Sequence, residues 1–154
     1  MKNLFKLIIS LVISLSAGFI GSFFTVPNIK SWYVLLNKPV YTPPDKVFAP
    51  VWTFLFILMG IALFLIWTSR NKEKKFFVFL FITQLIFNTL WSVLFFGLHN
   101  PVIGFIDIVI LWFAVLICII SFRKISVPAS WLFVPYFLWV SFASYLNFMI
   151  IKLN

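Results

Sequence analysis

Residues 32–59 read WYVLLNKPVYTPPDKVFAPVWTFLFILM and sit between two long apolar segments. Five of the eight prolines lie in or beside this stretch, at Pro27, Pro39, Pro43, Pro44 and Pro50. Proline fixes φ and lacks a backbone donor, so Lys38-Pro39 and Thr42-Pro43-Pro44 cannot continue a regular helix. A flexible linker would be polar and rich in Gly or Ser. This segment is instead aromatic, basic and stiff, which predicts an ordered lid over one end of a helical bundle.

The rest of the chain says what kind of bundle. Apolar residues make up 64% of the 154 positions and charged residues 10%, against about 45–50% and about 25% in soluble domains. A chain this small has no interior large enough to hide that surface, so its solvent is lipid. Runs of about 20 apolar residues cross a bilayer as helices. Five are predicted, over 5–26, 47–69, 76–97, 102–122 and 128–151, with the lid-like loop at 27–46. The expected fold is therefore all-α, an integral membrane bundle of five transmembrane helices forming a single domain over 1–154. Loops two to four are short, which makes neighbouring helices antiparallel. Lys2 and Lys6 ahead of an apolar run resemble a signal peptide, but the run continues through Gly21 to Val26, longer than a signal segment requires. The first span is expected to be retained.

The net charge of +9 reads as topology signal and headgroup contact, not nucleic-acid binding. With five spans, one side carries Lys2, Lys6, Arg70, Lys72, Lys74, Lys75, Arg123 and Lys124, and the other Lys30, Lys38, Lys46 and Lys152. The positive-inside rule then places the N-terminus in the cytoplasm and the proline-rich loop and the C-terminus outside. The lysine-rich, alanine-poor composition suits a bacterial plasma membrane. Cys118 is alone and mid-helix, so no disulfide framework exists.

Polar residues within a span face the bundle or a cavity. Gln84, Asn88, Trp91 and Phe95 recur at helical spacing on span three; Tyr136, Trp139, Ala143 and Asn147 do so on span five, whose start Pro135 kinks; Trp52, Phe56, Met59 and Leu63 follow the same rhythm on span two. Three such faces predict an aromatic cavity under the loop. Other readings stand beside this one. Trp32, Trp67 and Trp131 lie near span ends as interfacial anchors, and Asn88 and Asn147 suit interhelical hydrogen bonding. Asp107 is the only carboxylate within a span, expected to snorkel, to pair or to serve a function. His99 is a loop residue with no partner ligands nearby, so no metal site is predicted. Ser10, Ser14, Gly18 and Ser22 recur at fours with Ala17 and Gly21 alongside, a close-packing face used either within the bundle or between copies. No phosphate-cradling Gly loop, paired catalytic acids or metal-spacing cluster is present.

Three stretches, WYVLLNKPVYTPPDKVFAPVWT, QLIFNTLWSVLFF and PYFLWVSFASYLN, resemble in order and spacing the TspO/MBR family of tryptophan-rich sensory proteins related to the mitochondrial translocator protein. The resemblance covers the whole chain. It implies a five-helix bundle, usually a homodimer, with a pocket beneath the first loop. The family's ligands include porphyrins such as protoporphyrin IX, sterols and benzodiazepine- or isoquinoline-type drugs, and its roles span sensing, transport and light-dependent porphyrin breakdown. The residues matching the family's photochemical tryptophans are Trp52 and Trp139; further pocket positions correspond to Tyr33, Pro43, Asn88, Trp91 and Ala143. No cofactor is required, and porphyrin enters as ligand or substrate. The family's sterol motif departs here, because Tyr145 is followed by a basic residue only at Lys152, one position too far. On physical grounds Trp52, Trp91, Phe95 and Trp139 would wall a flat tetrapyrrole. Lys38 and Lys46 would meet its carboxylates at the wet end. No axial iron ligand is evident, which favours the metal-free ring over haem.

Overall fold

The computed structural model describes residues 2–154 and contains helices joined by short turns, with no strand among the described residues. The elements are α1 (Lys2–Ser31), α2 (Asp45–Thr68), α3 (Lys74–Ser92), α4 (Pro101–Phe122), α5 (Val127–Leu132) and α6 (Val134–Leu153). A single 3-10 turn, Tyr33–Leu35, follows α1, and a π turn, Val93–Gly97, extends α3. Five of the resulting segments are long and apolar enough to cross a membrane, α5 and α6 together making the fifth. The chain is an all-helical integral membrane protein.

Local chemistry sets most of the boundaries. Asn100 caps α4, its side chain accepting from the Ile103 amide at 3.0 Å, with Pro101 opening the helix. Ser126 caps α5 in the same way through the Ala129 amide, with Pro128 in the first turn. Proline tolerates these positions because the amide it lacks would have no helical partner there. The last span breaks at Phe133, just ahead of Pro135 in the first turn of α6. Phe133 is fully buried and packs edge-on against Phe81, Phe122 and Tyr136, which fixes the bend.

One predicted boundary is corrected. Pro27 does not end the first helix; α1 runs through it to Ser31, and the loop proper covers 32–44. Proline is tolerated inside membrane helices where side chains take up backbone groups around it. Here Asn28 Nδ2 donates to the Phe24 carbonyl at 2.8 Å and Ser31 Oγ to the Pro27 carbonyl at 2.8 Å.

The small-residue stripe of α1 proves to be a seam within the bundle. A Cβ on Gly60 of α2 would lie 2.9 Å from the Leu11 Cα, so the two backbones nearly touch. Ser14, fully buried, donates to the Phe56 carbonyl at 2.7 Å. Higher up, a Cβ on Gly18 would collide with the Phe56 ring, and one on Gly21 would stand 3.0 Å from Ser92 Oγ of α3. The core between the helices is aliphatic and aromatic, built on Met59, Leu63, Phe81, Val115 and Tyr136. Asp107 sits on α4 at 4% exposure with Oδ2 lacking a hydrogen-bond partner among the described residues. Its burial means that it does not snorkel to solvent.

Candidate functional site

At the loop end of the bundle α1, α2, α3 and α6 part around a cavity of about 480 Å³, within the range of small-molecule sites. Its buried wall is aromatic. Trp52 and Phe56 of α2 stack at 5.8 Å between ring centroids, and Trp91 and Phe95 stack at 5.2 Å with planes 21° apart. Phe95 belongs to the π turn, where the Leu98 amide reaches back five residues to the Val93 carbonyl at 2.8 Å. That extra residue widens the last turn and leaves Phe95 against Gly104 of α4, whose missing Cβ would stand 3.0 Å away.

Two asparagines hold the tryptophans in place. Asn88 Nδ2 donates to the Tyr136 hydroxyl at 2.8 Å, and Tyr136 meets Trp52 edge-on at 6.2 Å. Asn147 Oδ1 accepts from Trp91 Nε1 at 3.2 Å while its Nδ2 donates to the Pro101 carbonyl at 2.8 Å. Both asparagines are buried and both line the cavity. The two readings of these residues, interhelical bridge and pocket wall, therefore describe the same side chains.

The loop closes the top. Tyr33 is 5% exposed, packs on Phe95 and Phe96 and lines the cavity. Burial, together with the Asp45 carboxylate, pushes its hydroxyl up to about 12, so it is a neutral hydrogen-bonding group at physiological pH. Trp32 stacks on His99 at 4.7 Å, and His99 shares a 2.7 Å hydrogen bond with Asn28. His99 adopts φ 52°, a left-handed conformation that a loop residue takes at some cost. At the far side Asn37 and Asn154 clasp each other: the Asn37 amide donates to Asn154 Oδ1 at 3.0 Å, Asn37 Nδ2 to the Leu153 carbonyl at 3.2 Å, and Asn154 Nδ2 to the Asn37 carbonyl at 3.1 Å.

Of the residues singled out from the sequence, Tyr33, Trp52, Asn88, Trp91, Phe95, Ala143 and Asn147 come together on the cavity wall. Pro43, Lys38, Lys46 and Trp139 are not among the lining residues. Pro43 is a half-buried loop residue. Lys38 Nζ donates to the Tyr33 carbonyl at 3.1 Å and stands 4.4 Å over its ring, one layer behind the wall. Lys46 is exposed on the first turn of α2. Trp139 lies behind Phe48, 6.0 Å edge-on, with its Nε1 buried and unpartnered among the described residues. Phe48, which screens it, is itself on the wall.

Sequence reasoning missed Asp45, the one charged side chain on the lining, and the contribution of α1. Ala17, Gly18, Gly21 and Ser22 of the small-residue stripe line the cavity, as does Thr25 on the same helix. The spacing that marked them as a packing face also marks a place where the cavity reaches close to the α1 backbone. Three or more His, Cys, Asp or Glu side chains grouped to hold a metal are absent among the described residues.

A family model described as TspO/MBR family matches residues 9–153. The tryptophan-rich protein TspO of Chlorobaculum tepidum is 46% identical over 156 residues, covering 99% of this chain and 98% of that protein. That of Archaeoglobus fulgidus is 44% identical over 152 residues, with 99% of each chain covered. The translocator protein of Ovis aries is 33% identical over 134 residues, 85% of this chain and 79% of its own. The match runs the length of the bundle and takes in every helix that walls the cavity, and this chain belongs to the TspO/MBR family.

Proposed function

We propose that this protein is a membrane receptor or regulator that binds a flat apolar ligand, a porphyrin such as protoporphyrin IX, in the cavity between α1, α2, α3 and α6. One observation carries the reading: an intramembrane cavity of about 480 Å³ whose buried wall is two stacked aromatic pairs, Trp52 with Phe56 and Trp91 with Phe95. Stacked rings offer a planar π-system large areas of contact at little entropic cost. The same wall accepts smaller drug-like aromatic ligands of the benzodiazepine type. The polar groups on its lining, from Tyr33, Asn88 and Asn147, would fix orientation.

Light-dependent breakdown of the bound porphyrin fits this wall. The chemistry would be the ligand's own, with dioxygen as the oxidant and the protein supplying a stack and an indole donor. Trp52 and Trp91 are the indoles in reach, and Trp139 acts through Phe48. In cells the protein would sit in a bacterial plasma membrane as a homodimer, with the 32–44 loop outside.

A cavity-filling substitution separates binding from fold. Ala143→Phe is expected to abolish saturable porphyrin binding while the helical content stays unchanged. Undiminished binding in that variant would place the ligand elsewhere. Illumination of the loaded protein is expected to bleach the porphyrin more slowly in Trp52→Phe than in the parent; equal rates remove the photochemical part alone. The alternative reading, a carrier of porphyrin or sterol-like ligands across or along the membrane, draws its support from the name of the translocator relatives.

A further inference from the structure

The cavity has a long side that no helix covers. On α1 its edge is formed by Leu15, Phe19 and Val26, which are 37%, 64% and 64% exposed. On α2 the facing edge is Asp45, Ala49 and Thr53, also exposed. Each set recurs at helical spacing, so each is one continuous lip. From Leu15 to Val26 the α1 lip runs about 16 Å, eleven residues at about 1.5 Å each. The two helices are in backbone contact at Leu11 and Gly60 and bonded from Ser14 to Phe56. Above Gly18 no hydrogen bond joins them among the described residues. Between that seam and the loop both helices line the cavity with exposed side chains, which makes the gap between them a slot along the apolar length of α1.

The polar side of the slot is already satisfied. Thr53 Oγ1 is spent on the Ala49 carbonyl at 2.8 Å, and Thr25 Oγ1 on the Gly21 carbonyl at 3.1 Å. The lips therefore present hydrocarbon to the bilayer, with the single carboxylate of Asp45 only at the interfacial end. The aqueous side is the opposite case. There the loop is fastened by the Asn37–Asn154 clasp, the His99–Asn28 bond and the Tyr33 packing described above.

We infer that the cavity is loaded sideways from the bilayer, through the slot between Phe19 and Val26 of α1 and Ala49 and Thr53 of α2, and not from water through the loop. This rests on the cavity being the ligand site. A ligand that partitions into hydrocarbon reaches the slot by lateral diffusion, already stripped of water. Its wide face enters between the Phe19–Val26 edge of α1 and the Ala49–Thr53 edge of α2. The loop then serves as a fixed roof.

Two measurements on the full chain in lipid vesicles test this. The first needs no ligand: vesicles made with dibrominated phosphatidylcholine quench tryptophans that touch acyl chains. The emission lost on substituting Trp52→Phe isolates the contribution of Trp52, which is expected to be strongly quenched. A Trp52 contribution as shielded as that of a buried indole would overturn the inference, whether or not porphyrin binds. The second follows loading of protoporphyrin IX pre-dissolved in the bilayer. Ala49→Trp, which narrows the slot, is expected to slow loading about tenfold, and Phe19→Ala, which widens it, to speed loading about threefold. Asn154→Ala, which opens the clasp, is expected to leave the rate within about twofold. Faster loading in Asn154→Ala with rates unmoved by both slot variants would assign access to the loop and overturn the proposal. If porphyrin fails to bind the parent protein at equilibrium, the ligand reading fails, and the bromolipid result alone decides whether the slot is open.

Discussion

Asn147 is the side chain whose removal should reveal most about how the site is built. It is 1% exposed and makes two interhelical hydrogen bonds, from Trp91 Nε1 at 3.2 Å and to the Pro101 carbonyl at 2.8 Å. Leucine in its place has nearly the same volume and neither bond. Hydrogen bonds between membrane helices are worth about 0.6 kcal/mol on average and up to about 1.7 kcal/mol. Two of them put the cost of Asn147→Leu at about 1 to 3 kcal/mol. Equilibrium unfolding in mixed micelles reads this directly. A cycle with Trp91→Phe, which removes the indole donor, isolates the share owed to the Trp91 bond, expected to be about 0.6 to 1.7 kcal/mol. Because that bond also fixes the Trp91 ring against Phe95, the variant should bind porphyrin more weakly as well. A loss below about 0.3 kcal/mol with no coupling in the cycle would refute the reasoning, since Asn147 would then be an idle polar residue on the wall.

Other substitutions address separate parts of the structure. Gly60→Ala places a methyl group 2.9 Å from the Leu11 backbone and should cost about 1–3 kcal/mol by overpacking, read in the same unfolding assay. Asp45→Asn removes the only charge on the lining and should tighten binding of a dicarboxylate porphyrin by up to about fivefold at low salt, while leaving its dimethyl ester unaffected. Tyr33 titrates above the ordinary tyrosine value, at about 12. Its neutral form is favoured in the folded state, so its contribution to stability is complete below pH about 10 and is lost as pH rises toward 12. Ultraviolet difference spectra should show a late tyrosinate step that is missing in Tyr33→Phe. Asn154→Ala should raise hydrogen exchange in 32–44 without changing the exchange of α3 or α4.

Much of this architecture was legible because lipid imposes few choices. The five apolar runs and the patterned faces of spans two, three and five each follow from one physical rule, and the wall at Trp52, Asn88, Trp91, Phe95, Ala143 and Asn147 follows from their spacing. What spacing did not convey was curvature and depth. Pro27 reads as a helix breaker, yet Asn28 and Ser31 supply hydrogen bonds to the backbone around it and α1 continues to Ser31. Trp139 shares a helical face with Tyr136 and Ala143, but Phe48 from the neighbouring helix intervenes. No pattern within one helix announces a residue on another. Lys38 looked free to meet a ligand's carboxylates; the structure gives it to the Tyr33 carbonyl and ring. The α1 stripe was the subtlest case. Small residues lower one barrier for two uses, and only the contacts made across from them show where helix packing stops and the cavity begins.

The central claim is that the cavity binds a porphyrin, and a dark equilibrium titration in lipid nanodiscs tests it most directly. Protoporphyrin IX is added to the full chain and tryptophan emission is followed in the parent protein and in Trp52→Phe, Trp91→Phe and Trp131→Phe. Trp131 is 68% exposed on α5, away from the cavity lining. The account predicts saturable quenching at an equimolar ratio, with Trp52 and Trp91 each carrying a large share of the quenched emission and Trp131 almost none. Quenching that rises without saturation, or that falls equally on Trp131, would contradict it.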